Sequence, residues 1–331
     1  MKTIKELLHL CFTSHAEVLC RDQEDFATLT NSIAITSYRD GTEILADAVM
    51  STHCHLMAFA DNAASFVQRV RHSYAYYFNR KYHRNGLLGE KYYYASPVLG
   101  KYHRLACASY IMRNGQHHGQ SASAFAYPYC TTPYLFAQDL HLLSANKHSP
   151  IFPEQLITNH KDMMEHLPRD ARFPDEWRMD KSGMFLRSSF EQIGRVEEWY
   201  GTPRQFLYYM NRLSGDEWAN EQKKDGSEGS AGTFGLETLE PGYGEKDIVK
   251  MLGAEKGYHQ PNRLGSDIEI CHLIDKELIR PFHKDSIYQL SEAQRVRIGN
   301  TLLFDYHVNP TQIPRCLALE PGSFSWKGWN Q

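Results

Sequence analysis

The stretch from Ala48 to Phe59 limits what this chain can fold into more than any other. It is apolar except for Ser51, Thr52 and two histidines, His53 and His55, with Cys54 between them. In a strand, residues two apart point to the same face. Both imidazoles can then approach one ion, while Cys54, a small core residue, and Leu56 face the interior.

A second pattern complements the first. Tyr102, Ala106, Tyr110 and Asn114 recur every four residues, which on a helix places them on one face. If that face lies over the histidine strand, the site holds two neutral nitrogen ligands, one amide oxygen and one tyrosine hydroxyl. Such a set suits a divalent cation that polarises a phosphate while the tyrosine attacks it. Each half by itself also fits a satisfied histidine pair or a packing tyrosine, so the joint pattern carries the reading.

In order and spacing, Met50-Ser51-Thr52-His53-Cys54-His55-Leu56 and Tyr110-Ile111-Met112-Arg113-Asn114 resemble the motifs of the single-tyrosine HUH transposases, and within them the REP-associated tyrosine transposase group. Tyr77-Phe78-Asn79-Arg80-Lys81-Tyr82-His83-Arg84-Asn85-Gly86-Leu87-Leu88 is similar to the family's linking segment. Ala126-Tyr127-Pro128-Tyr129-Cys130-Thr131-Thr132-Pro133-Tyr134 is similar to its closing segment. Two positions depart from the pattern: Gly115 replaces the usual proline after the asparagine, which loosens the helix end but removes no chemical group, and Thr52 stands where Asn is frequent.

The resemblance implies an α+β fold, with a ferredoxin-like antiparallel sheet and packed helices forming an HUH nuclease domain over residues 1–137. It implies that Tyr110 attacks DNA to form a 5′-phosphotyrosine, that His53, His55 and Asn114 hold Mg2+ or Mn2+, and that the partner is single-stranded DNA with a hairpin. Two imidazoles by themselves would also accept zinc. Two other readings stay open: a DNA-binding regulatory or domesticated protein whose nuclease site is idle, and a metal-dependent hydrolase in which Tyr110 only packs. A homodimer is also left open.

Taken in order, Leu7 to Thr13 reads as a first strand. Asp22 to Tyr38 reads as a helix stopped at Asp40-Gly41, since Phe26, Leu29 and Ile33 follow helical spacing. A strand over Glu43–Val49 leads into the histidine strand. A second helix opens near Asp61-Asn62 and buries Phe66, Val70, Tyr74 and Tyr77, ending at Asn85-Gly86. Leu87 to Val98 reads as another strand and Tyr102 to Arg113 as the tyrosine helix, an alternation that fits an antiparallel sheet with helices on one face.

A formal charge of −3 hides a local asymmetry. Between Phe66 and Arg113 the cations Arg69, Arg71, Arg80, Lys81, Arg84, Lys91, Lys101, Arg104 and Arg113 face one acid, Glu90, with Tyr74, Tyr76, Tyr77, Tyr82, Tyr92, Tyr93 and Tyr94 interleaved. Cations for phosphates and flat rings for unstacked bases are what a single-stranded nucleic-acid surface requires. A solvated basic helix with core tyrosines is the plainer alternative. His117 and His118 follow the tyrosine helix, as phosphate or metal contacts or as surface turn residues.

Beyond 137 the reading is coarser. Residues 138–224 are helical, with an amphipathic helix from Ser188 to Tyr200 and another begun by Thr202-Pro203; 225–247 is a flexible Gly-rich linker; 248–331 is again helical. There, Leu290–Leu303 and Asn309–Leu319 resemble a helix-turn-helix with Thr311, Gln312 and Arg315 facing outward, although Pro314 interrupts the second helix. The linker glycines lack phosphate-loop spacing. Seven cysteines without a Cys-x-x-Cys pair suggest neither a zinc ribbon nor a disulfide framework, so the expectation is a cytoplasmic protein with no membrane span and no signal peptide.

Overall fold

The computed structural model of the 331-residue chain describes residues 5–14, 16–121, 123–140, 156–211, 265–320 and 322–324. The expected linker over 225–247 lies outside the described residues. The first unit runs β1 (Glu6–Thr13), α1 (Gln23–Asp40), β2 (Glu43–Val49), β3 (His53–Ala60), α2 (Ala63–Lys81) and β4 (Tyr94–Pro97). Its strands form an antiparallel sheet in the order β2-β3-β1-β4. The architecture is α+β, and this element order is compatible with the ferredoxin-like arrangement expected from the sequence.

Local chemistry sets the boundaries. Asp22 accepts from the Asp25 backbone N–H while the Asp25 carboxylate returns a bond to the Asp22 N–H, and Gly41 closes α1 in the left-handed conformation. Asn62 caps α2 by a single bond, its side chain accepting from the Ser65 N–H. Alternation then sorts β1 and β3 between two cores. Leu8, Leu10, Phe12, Cys54, Leu56 and Ala58 meet Phe26, Leu29 and Ile33 of α1 and Phe66, Val70, Tyr74 and Phe78 of α2. The other face carries Leu7, Ala46, Ala48 and Met57.

That second face is closed by a layer the first unit does not itself supply. α3 (Gly100–Met112), followed at once by α4 (Asn114–His117), lies there with α5 (Ile193–Tyr200) and α6 (Pro203–Met210). Leu105, Ala108, Ile111 and Met112 share one core with Val196, Tyr200, Phe206 and Met210, and the Ser109 and Tyr200 hydroxyls are 2.8 Å apart. Residues beyond 137 thus complete the packing of the first sheet.

A buried ion pair ties the segment ahead of α5 to β2. Arg187 donates from Nε to Asp47 Oδ1 at 2.5 Å and from Nη2 to Oδ2 at 3.2 Å, with both side chains fully buried. Burial pushes the Asp47 carboxyl up and the guanidinium opposes that shift. The Gln192 N–H next donates to the Ile44 carbonyl of β2 at 2.8 Å. That contact divides the helix expected over 188–200 into a turn at Arg187–Phe190 and α5.

Two further expectations are corrected near the sheet. β4 is four residues long, not the whole of 87–98, because Gly86 and Gly89 take left-handed conformations and the Glu90 N–H is drawn to the Thr13 carbonyl. In α2 the buried position belongs to Phe78, and Tyr77 is half-buried with its hydroxyl on Asp25.

The C-terminal unit holds α7 (Asp267–Leu273), α8 (Glu292–Phe304) and α9 (Ile313–Cys316) around Ile270, Ile274, Ile298, Leu302, Ile313 and Leu317. α8 begins with a Ser291–Gln294 capping box. The expected recognition helix is a single turn: Gln312 is buried, and Gln312 and Arg315 point inward to Asp267. All seven cysteines are buried free thiols. Among the described residues no helix is long and apolar enough to cross a membrane.

Removing one partner of a buried ion pair strands the other charge. Asp47→Ala should therefore lower unfolding free energy by about 3–5 kcal/mol. Glu43→Ala, which breaks part-exposed pairs with Lys5 and Arg195, should cost less than about 1 kcal/mol. Urea denaturation of the two variants measures the contrast.

Candidate active site

The register of β1 against β3 places Thr13 opposite His53, Cys11 opposite His55 and His9 opposite Met57. Side chains two apart share a face, so His9 joins His53 and His55 beneath α3. His9 Nε2 lies 2.9 Å from His55 Nδ1, with the two rings stacked at 5.1 Å between centroids. The sequence analysis did not single out His9. Its one signal is a polar residue inside the apolar run Leu7–Phe12, and only strand pairing shows that it sits beside His55.

Tyr110 lies over this pair. Its ring meets His55 edge-on at 5.4 Å and His9 at 6.0 Å, and the residue stays 41% exposed. Asn114 is fully buried: its Nδ2–H donates to the Tyr110 carbonyl at 3.0 Å, which turns Oδ1 toward His53 Nε2 at 3.3 Å. The structure brings His53, His55, Tyr110 and Asn114 together, as the two spacings required. The helix itself is not continuous, because α3 ends at Met112 and Arg113 separates it from α4. The four-residue relation persists as the side-chain bond from Asn114 to Tyr110.

Gly115 has a different cause from the loosened helix end that its position suggested. A Cβ there would lie 2.3 Å from Cγ of Tyr127, whose hydroxyl donates to the Val49 carbonyl at 2.7 Å. The absence of a side chain lets Tyr127 lock α4 against β2, directly behind Asn114. His118 stands at the rim, its ring 4.9 Å from that of His53, and His117 follows at 5.0 Å from His118; both are exposed.

Burial dominates the electrostatics. It lowers His55 to about 2 and His9 to about 4, with neighbouring imidazoles adding to the effect. It lowers His53 too, against the opposing bond from Asn114. Removed from water, an imidazolium loses more solvation than an imidazole, so burial favours the neutral form throughout the cluster. The Cys11 thiol, 3.9 Å from His55 Nε2, is pushed up to about 12 and is no thiolate.

Among the described residues no group of three His, Cys, Asp or Glu is arranged to hold a metal. An ion here needs the amide oxygen of Asn114. The 3.3 Å between His53 Nε2 and Asn114 Oδ1 is near the ~3 Å that separates adjacent ligand atoms around a small octahedral cation. His55 enters such a set by turning a nitrogen away from His9 or Cys11. With that adjustment, two neutral imidazoles and an amide oxygen fit a divalent ion.

The basic segment is divided by its partners. Lys81 is ion-paired with Asp22, Glu24 and Asp25, Arg84 with Glu17 and Arg69 with Asp40. Arg71 donates to the carbonyls of Glu90 and Lys91, and Arg104 lies over the Trp199 ring. Arg113 is half-buried beside Asn114, while Arg80, Lys91 and Lys101 are exposed. Exposed rings gather at β4 and the start of α3: Tyr92, Tyr94 and Tyr102, with Tyr94 edge-on to His9 at 5.4 Å.

No family model and no curated protein matches the chain. A solved structure of a REP-associated tyrosine transposase bound to a REP hairpin is similar over 42% of this chain and 84% of its own, at 14% identity and a TM-score of 0.36. Likeness at that level decides neither the fold nor the function of this chain.

Imidazoles whose protonation burial disfavours would give metal binding a flatter pH response. Between pH 7.5 and 6, two ligands with ordinary histidine pKa values near 6.5 would lose about tenfold in affinity to proton competition. Here Mn2+ affinity, followed by titration calorimetry, should fall by clearly less than that tenfold over the same range, since burial holds both histidines below the ordinary value and they compete less with protons.

Proposed function

We propose that this protein nicks and rejoins single-stranded DNA through a phosphotyrosine on Tyr110. The observation that supports the reading most is the convergence of a half-exposed tyrosine with two neutral histidines and a buried amide oxygen, from sequence segments about sixty residues apart. When bound, Mg2+ or Mn2+ supplies charge that polarises the scissile phosphate. His53, His55 and Asn114 would hold it.

The chain's own residues do the rest. Tyr110 Oη attacks the phosphorus, its proton passing to solvent. A Tyr–O–P bond forms to the 5′ phosphate as the P–O3′ bond breaks, and the departing oxygen is protonated to a 3′ hydroxyl. Attack by another 3′ hydroxyl reverses these steps and joins a new strand. Asn114 fixes the end of α3 through the Tyr110 carbonyl, so the phenol is held in place before DNA arrives.

The DNA path in this reading follows β4 and the start of α3, where Lys91, Tyr92, Tyr94, Lys101 and Tyr102 are exposed. Unstacked bases lie on the rings and phosphates meet the lysines. Arg80 is exposed near the end of α2, whereas Lys81, Arg84 and Arg69 serve their carboxylate partners.

Tyr110→Phe removes only an oxygen, so it should keep the melting temperature, Mn2+ affinity and DNA binding while abolishing a denaturation-resistant adduct with labelled hairpin-flanked single strands. His53→Ala should abolish the adduct and weaken Mn2+ binding more than tenfold. Strand cleavage without any adduct would favour a metal-dependent hydrolase, and an adduct mapped to another tyrosine would exclude Tyr110 as the nucleophile.

A further inference from the structure

Two aspartates of the C-terminal unit reach the first unit, Asp275 through Arg21 and Asp267 through Ser51, and the arginines they hold differ in kind. Arg21 is sealed: its side chain is fully buried, Nε and Nη2 donate to Asp275, and Nη1 donates to the Cys316 carbonyl at 2.8 Å. Each end of that guanidinium is used, and the pair only joins the two units.

Asp267 builds a different arrangement. Fully buried at the start of α7, it accepts from Ser51 Oγ at 2.6 Å, Gln312 Nε2 at 2.8 Å, and Arg315 Nε and Nη2 at 2.9 and 2.8 Å. Ser51 lies in the turn that feeds β3. The Ser51 carbonyl accepts from the Leu19 and Cys20 N–H groups and the Thr52 carbonyl from Ser14, while Thr52 Oγ1 is 3.0 Å from His53 Nδ1. One carboxylate from the C-terminal unit therefore grips both the turn before His53 and Arg315.

Arg315 is not sealed. Its side chain is 30% exposed, and among the described residues its Nη1 has no hydrogen-bond partner. A guanidinium carries five N–H donors, of which Asp267 takes two. Ser51, held by the same carboxylate, is two residues before His53. A guanidinium locked in orientation on one side, open on the other and set beside a phosphodiester-cleaving centre is suited to a phosphate oxygen.

We propose that Arg315, held by Asp267 beside the turn into β3, contacts a backbone phosphate of the DNA strand in the nuclease site, so that the C-terminal unit completes this site. The inference rests on the DNA-nicking reading for its ligand. It assigns α9 a role in the catalytic unit's own substrate groove, in place of base reading in a separate duplex.

The test is binding of a hairpin oligonucleotide with a single-stranded flank to the full chain, by fluorescence anisotropy in EDTA from 50 to 300 mM KCl. Arg315→Gln should weaken binding about five- to tenfold and flatten the dependence of log K on log salt by roughly 0.7, the value of one phosphate contact on a single strand. The Asp267→Asn and Arg315→Gln double variant, which leaves no buried carboxylate unpaired, should show the same slope. Asp267→Asn by itself keeps the cation and should keep the wild-type slope, as should Arg297→Gln on the exposed side of α8.

A wild-type slope in either variant lacking Arg315, or an equal loss of slope in Asp267→Asn, overturns the proposal. Because no chemistry occurs in EDTA, the two readings separate. An adduct-forming protein whose salt slope ignores Arg315 sinks this inference alone, and an Arg315-dependent slope without any adduct in Mn2+ sinks the nicking reading.

Discussion

Covering β3 on both faces is the constraint on which the rest of this structure depends. Cys54, Leu56 and Ala58 need one apolar layer and Met57 needs another. α1 and α2 supply the first. The second requires α3 together with α5 and α6, and the buried Arg187–Asp47 pair ties the segment ahead of α5 to β2. The hydrophobic effect is proportional to area removed from water, so a two-layer sheet would leave the Met57 face wet and α3 without a seat. The tyrosine helix stands where it does because an apolar face had to be covered.

The candidate site occurs where that covering layer ends. α3 stops at Met112, and α4 begins with Asn114 tucked under Tyr127. The histidines are then shielded enough to stay neutral, while Tyr110 remains half-exposed. The same desolvation that prevents the imidazoles from charging makes them ready electron-pair donors. Polar groups in an otherwise apolar layer are stable here because each has a partner: His9 for His55, Thr52 and Asn114 for His53.

The basic segment shows how a run of like charges can be divided. Asp25 is fully buried and accepts from the Arg21 N–H, Lys81, Tyr77 and Tyr82. Desolvation raises it to about 6, with Asp22 adding to the rise and Lys81 opposing it. A carboxylate in that position demands a cation, and Lys81 answers the demand. What looks like one interaction surface in sequence is therefore a structural cluster on α2 and a smaller exposed group along β4 and α3.

Periodicity and capping made much of this fold legible in the sequence. The span Glu43–Val49, the Asp22 cap and Gly41 stop of α1, and the pairing of His53 and His55 on one strand face all follow from relations within a few residues. So does the joint placement of Tyr110 and Asn114. The tertiary structure decided what depends on residues far apart: His9 beside His55, Lys81 among acids, Gly115 against the Tyr127 ring, and Arg315 turned onto Asp267 and Ser51. Local steric and hydrogen-bonding preferences act along the chain and can be read from it. The partner of a buried charge or the neighbour of a packed ring is chosen by which distant surfaces meet, and no local spacing encodes that choice.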